Sequence, residues 1–353
     1  MSEFHTLAHL NGWFTSAGEH PEVALASRAR ISRNLSGFSF PPKMDAGEEE
    51  QSAKQIFDAF SNLSYREGYD LQKVGELDET ERKMQIERRF LNRRFSLQKE
   101  KLFVTGSDNR RSALINDRDH VELTVFEGGM SLNSTYEEAE RNERLLEEKL
   151  DFAVSLDRGY LTSELKNCGT GLKMSVLLQL PALERASVLE HVFKSIMNQG
   201  FSIKGFSGGE DQSLGNLYQI YNSVAIGMGE KEIIEKLEKL SLQLVQYEMK
   251  KRDEMVKKMR VELEDLVYRA YGIVRGARLL GEREAVGLLA DLRLGAALGW
   301  LSFPIERLNM LLVTVRDGHI ESLVEHNNEE DHALQIKRVR AQFIKYALGV
   351  GAT

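Results

Sequence analysis

Apolar residues along this chain follow two different periods. Ile56, Phe57, Phe60 and Leu63 fall at helical intervals and predict an amphipathic helix over 47–69. Between 111 and 129 the period drops to two. Val121, Leu123 and Val125 alternate with Glu122 and Thr124, as in a half-buried antiparallel strand, and residues 116–119 supply the turn before it. A helix over 134–156, a strand at 176–180, a helix over 181–199 and strand-like stretches at 201–206 and 216–226 follow. That order predicts an α+β fold, a mainly antiparallel sheet flanked by helices. Beyond Gly229 the pattern is helical throughout. Leu237, Leu240, Leu244, Tyr247, Met255, Met259, Leu263 and Leu266 form a stripe on one long helix or on two joined end to end, either bundle core or an oligomer face. Further helices are expected at 281–298, 302–315 and 329–348. The boundary is drawn near residue 253, giving a mixed domain over 1–252 and an all-α domain over 253–353.

Composition narrows the classes. At 353 residues there is ample core for a large and a smaller domain, and the net charge of −7 argues against general nucleic-acid binding. The single cysteine, Cys168, excludes an internal disulfide and a cysteine-based zinc cluster. The first residues lack a basic segment followed by an apolar one, and no apolar run approaches the roughly 20 residues that span a bilayer. A cytoplasmic protein is expected. Residues 80–102 are basic, with Arg88-Arg89 and Arg93-Arg94, and read as a solvated helix and loop.

Chemistry concentrates in 159–183, where Gly159-Tyr-Leu-Thr-Ser163 is followed by Asn167 and Gly169-Thr-Gly-Leu172. A Walker sequence is not present, since the G-x-x-x-x-G-K-[ST] spacing is unmet. The segment resembles the signature of the ATP:guanidino phosphotransferases, G-Y-L-T-S-C-P-T-N-V-G-T-G-L-R-A-S-V, and most nearly that of the bacterial protein-arginine kinases. Ala26-Ser-Arg-Ala-Arg30 matches the family's S-S-R-x-R, and Asn116-Asp-Arg-Asp-His120 stands for its N-E-E-D-H.

The resemblance implies ATP with Mg2+ as cosubstrate, gripped by scattered arginines. Implied nucleotide contacts are Ser27, Arg28, Arg30, Arg89, Lys173, Ser175 and Lys204. Lys173 and Lys204 replace arginines, keeping charge but losing the bidentate fork. Glu122 stands where another phosphate-binding arginine belongs. On the acceptor side, Arg118 replaces the catalytic glutamate, Gly209 a second glutamate, and Glu164 the substrate-contacting cysteine. A guanidinium has no free lone pair, so carboxylates must orient it and take its proton, which Arg118 cannot do. Asp117, Glu210 and Cys168 are the possible substitutes. The resemblance therefore implies a protein-arginine-kinase homologue with impaired catalysis and a regulatory or scaffolding role. The alternatives are an active kinase with rearranged carboxylates and a helical interaction protein that binds no nucleotide.

Val261–Gly272 and Asp291–Gly295 also resemble the bacterial enzymes. Their phosphoarginine-binding R-D-x-x-R-A corresponds to 330–335, where Glu330 and Leu334 replace the arginines. Partners implied by the family are a zinc-binding activator, a Clp-type chaperone and a second copy of the chain.

Overall fold

Strand β1 (Ala24–Arg33) is the axis of the molecule. Its residues alternate: Ala29 and Ile31 face one way, Ala26, Arg28 and Arg30 the other. Around it an eight-stranded antiparallel sheet forms from β2 (Tyr69–Lys73), β3 (Leu102–Gly106), β4 (Arg111–Ile115), β5 (Val121–Gly128), β8 (Leu172–Gln179), β9 (Phe201–Gly205) and β10 (Leu217–Asn222). The order is β2-β3-β4-β5-β1-β8-β10-β9. A separate hairpin pairs β6 (Val154–Ser155) with β7 (Gly159–Tyr160). The computed structural model describes residues 2–206, 213–324 and 331–351.

The helices of this part are α1 (Ser2–Ala8), α2 (Ala46–Glu67), α3 (Glu79–Glu87), α4 (Leu132–Glu147), α5 (Pro181–Arg185), α6 (Leu189–Met197) and α7 (Glu230–Lys258) in chain order. Of these, α4, α6 and α7 bury the centre of the Ala29/Ile31 face, whereas α1 and α3 pack on the C-terminal helices. Ile233, Leu237, Leu240 and Leu244 of α7 pack on Met174, Val176 and Ile220. Most of the apolar stripe is therefore core; Leu263 continues it and Met259 is exposed. The stripe belongs to two helices, since the backbone leaves helical geometry at Met259 before α8 (Arg260–Gly276) begins.

The remaining helices, α9 (Glu282–Ala297), α10 (Ile305–Thr314), α11 (Asp317–Glu321) and α12 (His332–Leu348), share one core with part of the opposite face of the sheet. Leu289, Leu308 and Phe343 belong to the same cluster as Leu25, Phe126, Leu177 and Leu217. Buried Arg293 of α9 fastens the two parts. It donates to Gln179 Oε1 of β8 (2.6 Å), Asn309 Oδ1 (2.8 Å) and the carbonyl of Pro21 (2.6 Å). Arg252 of α7, paired with Glu248 at 2.7 Å, donates beside it to the carbonyls of Glu22 and Gln179.

Two expected helices are shorter than their periodicity. The 134–156 helix ends at Glu147, because residues 151–153 pair with β1's exit instead: Ser36 N–H donates to Asp151 O (2.9 Å) and Ala153 N–H to Asn34 O (2.7 Å). The 181–199 helix breaks at Ser187, whose φ is +56°, leaving α5 and α6.

Candidate nucleotide and acceptor sites

The Arg28/Arg30 face of β1, which the C-terminal helices cover only toward its Ala26 end, carries the charge. Antiparallel register sets Arg28 opposite Phe126 of β5 and Ser175 of β8, and Arg30 opposite Thr124 and Lys173. Gln219 of β10 lies opposite Leu177, and Lys204 of β9 opposite Gln219. Period-two alternation on four adjacent strands thus brings Arg28, Arg30, Lys173 and Lys204 to one surface. Arg89 joins them from the loop after α3. It has a φ of +68°, lies over the Phe206 ring at 3.9 Å and donates to the Phe206 carbonyl at 2.5 Å.

Like charges crowd here. Burial, then Arg30, push the Arg28 guanidinium down to about 9; burial with Arg316, Arg28 and Arg93 does the same to Arg89. Lys173 is pushed down to about 8 by burial and by Arg30, Lys204 and Arg28, and Lys204 is lowered by burial and by Arg28, Arg89 and Arg30. The two ammonium groups lie 4.5 and 5.2 Å from the Tyr221 ring centroid, which offsets part of the repulsion. The carboxylate that enters is Glu122, buried, with Oε2 2.9 Å from Arg30 Nη1. Arg28 Nε, Arg30 Nε and Glu122 Oε1 have no hydrogen-bond partner. Such a surface favours an anion with several oxygens.

Two implied contacts stand apart. Ser27 points to the opposite face of β1, donating to Gly129 O (3.0 Å) and accepting from Ser131 N–H (2.9 Å). Ser175 lies on the charged face, but its Oγ accepts from Gln219 Nε2 at 2.8 Å. Arg88 and Arg89 depart from the solvated reading of 80–102. Arg88 Nε donates to His319 Nε2 of α11 (3.1 Å), whose Nδ1 donates to Glu87 (2.6 Å). Arg93 and Arg94 are exposed as expected. The expected pH response follows from Lys173. Its folded-state value is below the usual 10.5, so between pH 8 and 10 the unfolded chain binds more protons and stability rises with pH. Urea midpoints should climb more steeply in this window for the native chain than for Lys173→Met; equal slopes would refute the assignment.

Beside this surface, two loops are pinned together. Asp119 Oδ1 accepts from Asn34 Nδ2 and from Ser163 N–H, both at 2.7 Å, while Asn34 Oδ1 accepts from His120 N–H at 2.9 Å. His120, buried and 6.1 Å from the Phe38 ring, is pushed down to about 4 by burial and stays neutral. This staple sets Arg118 against Glu164. Arg118 Nη1 donates to Glu164 Oε1, and Lys166 Nζ (3.0 Å) and Asn167 Nδ2 (3.3 Å) reach Oε2. Burial opposes ionisation of Glu164, but Lys166 and Arg118 hold its carboxyl below the usual range. Lys166 also adds to the positive potential at Lys173, so the two clusters are neighbours.

The suggested substitutes are otherwise engaged. Asp117 accepts from Arg94 and from Asn92 Nδ2 (2.9 Å). Cys168 is buried, its Sγ accepting from Thr162 N–H at 3.5 Å. Gly209, Glu210 and Glu330 lie outside the described residues, and Leu334 is part-exposed on α12. Gly171, φ +60°, is required as glycine, because a Cβ would fall 2.4 Å from Arg33 Nη1. Arg33 in turn donates to Thr170 O (3.0 Å) and stacks on Tyr160 at 3.4 Å. Sequence reasoning missed the Asn34–Asp119–Ser163 staple and Tyr221, which no spacing announces.

Among the described residues no group of three His, Cys, Asp or Glu could hold a metal ion, and no helix is long and apolar enough to cross a membrane. Residues 51–251 match the ATP:guanido phosphotransferase C-terminal catalytic domain, and 260–352 the C-terminal domain of the protein-arginine kinase McsB. The chain is 31% identical over 341 residues to a protein-arginine kinase of Clostridium tetani, covering 96% of this chain and 99% of that one. It is 33% identical over 317 residues to one of Halothermothrix orenii, covering 89% and 90%. Lombricine kinase shares the fold, with a TM-score of 0.59 at 19% identity over 69% of this chain and 70% of that one.

Proposed function

This chain belongs to the ATP:guanido phosphotransferase family, in company with the protein-arginine kinases, and from that premise we propose that it binds ATP weakly, transfers phosphoryl groups poorly and serves as a regulatory or scaffolding protein in protein quality control. The observation that carries this reading is the Arg118–Glu164 ion pair, formed where family members keep a base and a cysteine. A cation there cannot accept a proton and repels an incoming guanidinium.

The residues present suit a nucleotide's phosphates in part. Arg28, Lys173 and Lys204 are available to phosphate oxygens, and magnesium would come on the phosphates themselves. Arg30 is shared with Glu122, and Arg89 with Phe206. The small cavity of about 20 Å³ between Trp13, Phe126 and Phe206 is too narrow for a nucleobase, and the proposed nucleotide would lie along the open part of the charged face. The competing kinase with rearranged carboxylates loses support because Asp117 is tied to Arg94. A regulatory role entails protein partners: a second copy, a zinc-binding activator or a Clp-type chaperone.

Titration calorimetry with Mg-ADP tests the nucleotide half. Weak binding is expected. Arg28→Ala should abolish it, and Glu122→Gln should tighten it about tenfold or more by releasing Arg30 and removing a repelling charge. Absence of binding in both the native chain and Glu122→Gln would favour the interaction protein without nucleotide. Binding as tight as that of an intact relative would overturn the proposed weakness.

A further inference from the structure

The ion pair at the acceptor position has a second consequence. Arg118 places a guanidinium, the same chemical group that a guanidino kinase accepts, against the Glu164 carboxylate. The two oxygens of that carboxylate are divided. Lys166 and Asn167 hold Oε2, whereas Oε1 is covered by Arg118. Neither loop drifts, because Asp119 ties the Ser163 backbone to Asn34 beside them. The side chains are 54% and 31% exposed, so an incoming group from solvent reaches the place that Arg118 occupies.

Resting on the family reading above, we propose that Arg118 is an internal occupant of the acceptor site, and that Glu164 is a guanidinium-binding carboxylate which it masks. Glu164 keeps its affinity for a cationic head but satisfies it from within the chain. Arg118 reaches Oε1 while the Lys166 ammonium already holds Oε2, and a guanidinium, more weakly hydrated than an ammonium, is the better replacement for Arg118 at Oε1. External arginine must displace a tethered competitor whose effective concentration exceeds what a free ligand reaches, and binds poorly for that reason.

Arg118→Ala removes the competitor and leaves Glu164 Oε1 open. The probe is N-acetyl-L-arginine amide, whose only charge is its guanidinium, followed by NMR titration or calorimetry. Arg118→Ala is expected to bind it at least tenfold more tightly than the native chain, and N-acetyl-L-lysine amide should show a smaller gain. Arg118→Ala/Glu164→Gln should lose the gain. Arg118→Gln, which keeps side-chain volume and polarity, gives the same comparison should the alanine variant unfold. Equal affinity in native and unmasked chains, or a gain that survives Glu164→Gln, would overturn the proposal. Mg-ADP titration of the native chain is an independent reading. Its failure removes the nucleotide site and leaves the guanidinium comparison standing.

Discussion

Incubated with Mg-ATP and an arginine-containing acceptor protein, the purified chain is expected to form acid-labile phosphate at least ~10²-fold more slowly than an intact protein-arginine kinase assayed beside it. Loss of a general base typically costs ~10²–10⁴ in rate. In the proposed reading the base position is not merely vacated but holds Arg118, which is already engaged with Glu164. Glu122 adds a negative charge to the surface that would carry the phosphates. Residues that act as a unit lose their effects together, so Arg118→Glu alone should restore little. Turnover within a few-fold of the intact enzyme would refute impairment and revive the kinase with rearranged carboxylates.

The second large effect concerns stability. Arg293→Ala is expected to cost ~3–5 kcal/mol, since three buried acceptors each lose a charge-assisted hydrogen bond worth ~1.5–3 kcal/mol, part of which the relief of burying a cation offsets. The substitution strands Gln179 Oε1, Asn309 Oδ1 and the Pro21 carbonyl, and opens a void between α9 and the sheet. Against a total stability of ~5–15 kcal/mol this is a large fraction. Urea unfolding should show the midpoint fall with one cooperative transition retained, as one continuous core implies. A loss below ~1 kcal/mol would mean that the helical part is not fastened through this residue. For the same reason, a chain cut after Lys258 should expose Leu25, Phe126, Leu177 and Leu217 and aggregate.

Much of this was readable in the residue pattern. Alternation in β5 and the helical stripe on α7 are local signals, and the charged side of β1 needed only the Ser-Arg-Ala-Arg spacing. Substitutions at 118, 122 and 164 were legible by position, but their pairing was not. That Arg118 answers Glu164 and Glu122 answers Arg30 depends on strand register and on the Asp119 staple, which lie far apart in sequence. Helix ends at Glu147 and Ser187 were missed because backbone partners 100 or more residues away, or a left-handed residue, outcompeted local periodicity. The basic run at 80–102 misled because burial of Arg88 and Arg89 is set by α11 and Phe206, not by neighbours in the chain.

The central strand also fixes a timetable. β1 is made early, yet it completes its ladder only when β5 and β8 have followed, and the Arg293–Pro21 bond joins residues 272 positions apart. At ~5–20 residues per second of synthesis, that bond waits about 15–55 s. Throughout that interval Leu25 and Ala26 of the first strand lack the C-terminal helices that share their core. Such late closure favours slow folding and engagement by chaperones during translation.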